Sequence, residues 1–221
     1  MRVMWKVIFA AVLSATFVVG SATPASAQSA PALQAINSAR DRSVTTLNGT
    51  PVGVCETRWE SANRYHQTCR DLVTATLPLQ GGLTYVAGNT YDFIYYDGTV
   101  YFRENAETRW DVTNDPTYSP DDTILSLVAG SLGLGAPNTG TVVGTATVAG
   151  VQTVQLQFWL NDLIDGGRVV ADLFIDQNGL VRSYASSYRT DNLNYQTIVT
   201  LQDLNTPITI AAPDAQSVNW K

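Results

Sequence analysis

His66 is the only histidine in a chain of 221 residues. An imidazole can act as a general base, but only beside a nucleophile that it activates. No Gly-x-Ser-x-Gly elbow accompanies it, and the serines are scattered. No catalytic residue is therefore assigned. Carboxylates pair at Asp121-Asp122 and at Asp162 with Asp165. Glycoside hydrolysis needs two carboxyls set across a cleft. Helix capping explains the first pair, and a turn before Gly166-Gly167 explains the second. A surface calcium site at Asp162 and Asp165 would lack the EF-hand spacing. One histidine and two cysteines supply neither a His-rich metal site nor a four-cysteine zinc site. The expectation is no metal and no cofactor.

Cys55 and Cys69 lack Cys-x-x-Cys spacing, so a redox-active pair is a weak reading. A hairpin places them better. Ser61-Ala62-Asn63 reads as a turn between two extended runs. Centring the hairpin on Ala62 sets Cys55 opposite Cys69 and Trp59 opposite Tyr65. Directly opposed antiparallel residues have Cα atoms ~4.5–5.5 Å apart, which overlaps the disulfide range. One register satisfies the sulfurs and an aromatic pair together.

Composition narrows the class. The chain is 45% hydrophobic and 14% charged, which predicts a folded core. Its net charge of -6 argues against a nucleic-acid binder, which would carry a basic face. Residues 1–27 read as a signal peptide. Arg2 and Lys6 precede an uncharged apolar run, Val7 to Gly20, and then Ala25-Ser26-Ala27. The alternative is an uncleaved anchor, but the run is shorter than the ~20 residues that span a bilayer. No cysteine lies near the cleavage site for acylation. The expected mature chain is a single domain, 28–221, exported to the periplasm or the exterior and soluble there. Outside the cytoplasm its two thiols would be oxidised.

The elements that position these residues are mostly strands. Ala30 to Arg42 has apolar residues at helical spacing and predicts a short helix. Ser119 to Leu132 predicts a second, with Pro120 in the first turn and Asp121 and Asp122 near the positive end of the dipole. Asp97-Gly98 joins Tyr91–Tyr96 to Thr99–Glu104 as a two-residue hairpin. Phe93, Tyr95, Val100 and Phe102 fall on the more apolar face of that hairpin. Ile94, Tyr96 and Tyr101 fall on the other, where they would stand exposed or form a partner surface. Further hairpins turn at Ala149-Gly150 and Gln177-Asn178-Gly179, and Asn194–Leu204 and Thr206–Ala211 close the chain as strands. Hairpin-ordered strands with two helices predict an antiparallel α+β fold.

The order of motifs resembles the lipoprotein-carrier superfamily of LolA and LolB, and most closely its mycobacterial LppX and LprG branch. Trp59-Glu-Ser-Ala-Asn-Arg64-Tyr65 is similar to that family's aromatic hairpin, although Ala62 stands where the family often has proline. Asp97-Gly98-Thr-Val-Tyr101-Phe-Arg103, with Trp110 beyond, resembles its Gly-x-x-Tyr-x-Arg … Trp stretch. Gly150-Val151-Gln-Thr-Val154, Gly179-Leu180-Val181-Arg182 and the terminus from Asn205 to Pro213 follow in the family's order. The resemblance implies a half-barrel, a curved antiparallel sheet wrapped around short helices, with an apolar cavity between them. The ligand it implies is a lipid or an acylated protein, with an envelope protein as a further partner. The lipobox cysteine of the mycobacterial branch is absent, so tethering is not implied.

On this reading the cavity is lined by Phe93, Tyr95, Phe102, Leu125, Val128, Leu132, Leu156, Phe158, Leu173 and Ile175. The same residues would equally serve as packed core. The competing readings are an extracytoplasmic sensor or adaptor with a filled core, and a secreted enzyme, for which no convergent titratable set is recognisable.

Overall fold

The computed structural model describes residues 31–77, 84–115, 140–161 and 168–220. Its strands are β1 (Ala39–Leu47), β2 (Thr50–Ser61), β3 (Arg64–Asp71), β4 (Ala75–Thr76), β5 (Thr84–Tyr85), β6 (Thr90–Tyr96) and β7 (Thr99–Glu104). They continue with β8 (Trp110–Asn114), β9 (Thr141–Val148), β10 (Val151–Asn161), β11 (Arg168–Asp176), β12 (Val181–Arg189), β13 (Asn194–Gln202) and β14 (Val218–Trp220). Twelve of them form one sheet in the order β14-β8-β7-β6-β3-β2-β1-β13-β12-β11-β10-β9. All its ladders are antiparallel except β14 with β8. Among the described residues no ladder joins β9 to β14, so the sheet is open. Bulges in the β1–β2, β2–β3, β9–β10 and β11–β12 ladders add local bend and twist.

The turns explain the meander. Asn48-Gly49, Asp97-Gly98 and Ala149-Gly150 each place both central residues at positive φ, between 47° and 86°. That is the turn geometry whose twist matches the flanking strands. The cysteine hairpin has the expected register, Cys55 opposite Cys69 and Trp59 opposite Tyr65, and the disulfide is formed with Cα atoms 4.0 Å apart.

Three expectations change. The helix expected over Ala30 to Arg42 is not formed in its described part. Residues 31–36 are irregular, and Ala39 onward belongs to β1. β1 sits between β2 and β13 and pairs with both, so two ladders outweigh a modest helical preference. The leading segment instead crosses the β11–β12 turn. The Gln34 amide donates to the Gly179 carbonyl at 2.9 Å, and Ile36 is buried against Leu173 and its neighbours. A Cβ on Gly179 would lie 2.0 Å from the Ala32 carbonyl oxygen, at a φ of +82°. Only glycine fits that crossing.

The strand expected at Thr206–Ala211 is also absent. Residues 204–214 form an irregular strap that leads through a short 3-10 turn (Ala215–Ser217) into β14. The strap is anchored by the Ile210 amide donating to Glu60 Oε2 at 2.7 Å and by Ser38 Oγ donating to the Thr206 carbonyl at 2.6 Å. Ile208, Ile210 and Val218 cover Ile94, with Tyr96 and Tyr101 at the margin. These three are therefore not a free partner surface, because the chain's own end covers them. The helix expected at Ser119–Leu132 lies outside the described residues, as does the Asp162/Asp165 pair.

Candidate functional site

Side chains of directly paired antiparallel residues project to the same side of a sheet. The register therefore traces one continuous face. A single row runs Glu104–Tyr91–Cys69–Cys55–Ser43–Val199–Tyr184–Leu173–Leu156–Val142 across ten strands. Every described residue expected to line a cavity lies on this inner face. Phe93, Tyr95 and Phe102 sit on β6 and β7, and Leu156, Phe158, Leu173 and Ile175 on β10 and β11. Leu125, Val128 and Leu132 lie outside the described residues.

The structure does not bring the two groups together as one patch. Five strands separate β6 from β11, about 29 Å along the sheet at ~4.8 Å per strand. Each group belongs to its own cluster. Phe93, Tyr95 and Val100 pack with Tyr65 and Phe102, while Leu156, Phe158, Leu173 and Ile175 pack with Ile36, Ala39, Val181 and Leu201. Six of the seven are 7% exposed or less, and Phe102 is half-buried. They are packed side chains, so a ligand on this face would insert among them.

Aromatic rings extend the first cluster inward. Tyr65 lies 4.4 Å from Trp59, 5.3 Å from Tyr95 and 5.7 Å from Phe93, centroid to centroid. Burial pushes the Tyr65 phenol up, and its neighbour Tyr95 adds to the shift.

Between the apolar groups runs a polar belt that the residue pattern did not reveal. Asp41, Ser43, Thr45 and Thr57 are all buried on the inner face of β1 and β2. Trp59 Nε1 donates to Asp41 Oδ2 at 2.5 Å, and Gln67 Nε2 donates to Thr57 Oγ1 at 3.1 Å. Burial raises the Asp41 pKa from 3.8 to about 7, only partly countered by hydrogen bonds from Trp59 and Thr57. The Tyr184 phenol is pushed up by burial and then by the charge of Asp41. Placing Asp41 in a helix hid this belt. The available signal was the run Ala39-Arg40-Asp41-Arg42-Ser43, in which the two arginines recur at strand period and leave the residues between them facing inward.

One end of the inner face is capped. Tyr85 packs over Gly53, whose Cβ would come within 3.1 Å of the ring, and its hydroxyl lies 3.3 Å from that of Tyr195. Leu77 and Val52 complete this corner.

The outer face carries ion pairs. Arg58 donates to His66 Nδ1 at 2.7 Å. A guanidinium accepts nothing, so Nδ1 is the acceptor and Nε2–H donates to Asp92 Oδ1 at 3.0 Å. Arg103 donates to Asp92 Oδ2 through Nε at 2.8 Å and through a terminal nitrogen, and its guanidinium lies 4.2 Å over Trp110. Burial alone would raise the Asp92 pKa. Hydrogen bonds from His66 and Arg103 outweigh it and hold the carboxyl below its ordinary value. Both nitrogens of the single histidine are occupied in this chain of contacts.

These elements define a large, open, mostly antiparallel sheet whose inner face carries two apolar clusters flanking a polar belt, and whose outer face carries ion pairs beside an apolar patch covered by the strap. No family model matches the chain, and no curated protein matches it. Among solved structures it is similar to LprF from Mycobacterium bovis, with a TM-score of 0.47 and 16% identity over 80% of this chain and 90% of that one. A DUF1329 family protein from Desulfovibrio piger matches with a TM-score of 0.27 and 11% identity over 79% and 88%. At this distance neither likeness transfers a ligand or a residue.

Proposed function

We propose that this chain is an exported, non-enzymatic carrier that holds the acyl chain of a lipid or acylated protein against the inner face. The observation that supports it is the register. Aliphatic and aromatic side chains from β6, β7, β10 and β11 lie on one face as two clusters, with a polar belt on β1 and β2 between them. An acyl chain is held there by burial, at ~25 cal/mol per Å² of apolar surface. The belt, with Asp41 and Trp59, supplies the few polar anchors such a site needs. Export rests on the signal-like residues 1–27. The net charge of -6 opposes strong docking on anionic membrane, so transfer uses an envelope protein or brief contact.

The test is uptake of a fluorescent fatty-acid probe by the folded, processed chain. Saturable binding that unlabelled fatty acid competes away is expected. Absence of uptake by protein with cooperative thermal unfolding refutes the carrier. A second reading, an adaptor for a protein partner, draws on a different observation. Trp159 is 62% exposed and Val143 44% exposed, on the two strands at the β9 edge.

A further inference from the structure

The outer face contains a depression of about 370 Å³ above the Cys55–Cys69 hairpin and its neighbour strands. Two rows of the register meet there. One runs Arg42–Glu56–Thr68–Asp92–Arg103, and the next includes Val54, Arg70 and Thr90. The chain has an acidic excess, with 19 acidic against 13 basic residues, yet three arginines line this one hollow.

Their states differ. Arg103 is committed to Asp92, which His66 also shares, so that carboxylate is already compensated. Arg70 is exposed and makes no ion pair among the described residues. Arg42 makes only a 4.0 Å contact with Glu56, between side chains 52% and 70% exposed. Two guanidinium forks thus have donors to spare, from strands two apart, about 10 Å. Thr68 and Thr90 are exposed and line the same hollow, adding two hydroxyls.

We propose that this depression binds a phosphomonoester. The group carries about -1.5 to -2 charges and three acceptor oxygens. That matches two arginine forks and two hydroxyls better than a carboxylate's single charge and two oxygens. Glu56 is the opposing group. It repels the anion and competes for Arg42, so its removal strengthens binding. The site lies on the side opposite the proposed acyl-chain face and stands or falls independently of it. The phosphomonoester belongs either to a soluble metabolite or to a lipid headgroup.

Calorimetric titration of the folded chain with inorganic phosphate tests the site. Saturable binding is expected, weakened at least tenfold in Arg70→Gln, tightened severalfold in Glu56→Gln and unchanged in Arg189→Gln at the end of β12. No saturable binding by the unsubstituted chain, or equal affinity in Arg70→Gln, overturns the proposal. The opposite sign expected for Glu56→Gln separates a specific site from a general loss of fold. Flotation with vesicles of phosphatidylcholine, with and without phosphatidic acid, assigns the source. Flotation only with phosphatidic acid, lost in Arg70→Gln, makes the ligand a lipid headgroup. Phosphate binding without flotation makes it a soluble phosphomonoester.

Discussion

The two faces of the sheet handle their carboxylates in opposite ways. On the inner face Asp41 is buried beside Trp59, Thr57 and Tyr184, with no cation hydrogen-bonded to it among the described residues, and its pKa rises to about 7. On the outer face Asp92 is partly buried as well, but Arg103 and His66 donate to it and its pKa falls. Burial acts on both residues. The partners decide the sign. Since adjacent residues of a strand face opposite sides, the same strands carry both regimes a residue apart. Among the described residues the inner face buries Asp41 without an ion pair, while the outer face pairs Asp92 with Arg103.

The largest effect that would sharpen this contrast is removal of inner packing. Leu173→Ala empties a position 1% exposed between β10 and β12 and should cost about 2–5 kcal/mol in denaturant unfolding. A cost near that of a surface substitution would break the claim that this face is the core. Next comes the disulfide. Replacing Cys55 and Cys69 together by serine should cost about 3 kcal/mol in the chain-entropy account, seen as a lower thermal midpoint.

The third prediction concerns pH. The folded Asp41 pKa lies above the unfolded value, so the folded state holds the extra proton between about pH 4 and 7. Stability from this residue therefore falls as pH rises through that window, by at most about 1.4 kcal/mol per pH unit. In Asp41→Asn that slope should vanish. Asp92 and Asp176 act in the other direction. Their folded pKa values are depressed, for Asp176 because hydrogen bonds from Arg182 and the turn amides of Leu180 and Asn178 outweigh its burial. Their contribution is present above the unfolded value of 3.8 and is lost as pH falls through the folded one. A profile of Asp41→Asn identical to the unsubstituted chain between pH 4 and 7 would erase the difference between the faces. The smallest effect belongs to exposed pairs. Arg40→Ala, which breaks a 3.5 Å pair with Asp203 between side chains more than half exposed, should change stability by less than about 1 kcal/mol.

How much was legible in the residues follows from range. Local hairpins were readable because a turn and two periodic strands are one piece of sequence. The Cys55–Cys69 and Trp59–Tyr65 pairings came from a single centre, and Asp97-Gly98 and Ala149-Gly150 marked their own turns. The inner-face residues of β6, β7, β10 and β11 were readable from alternation alone. Long-range pairing was not. Nothing near Arg40 announces that Gln202 of β13, some 160 residues on, will pair with it and turn a helix-like run into a central strand. The strap over Ile94 is equally remote, so residues that alternation places outward become buried by the chain's own end. Asp41 is the same case: only the ladders to β2 and β13 put it, and the polar belt, on the inner face.

The central claim is that the inner face takes an acyl chain, and the most direct measurement is native mass spectrometry of the processed chain followed by solvent extraction. The account predicts a discrete added mass that extracts as a lipid. A chain at its bare mass, which also takes up no fatty-acid probe, would contradict it and favour the adaptor.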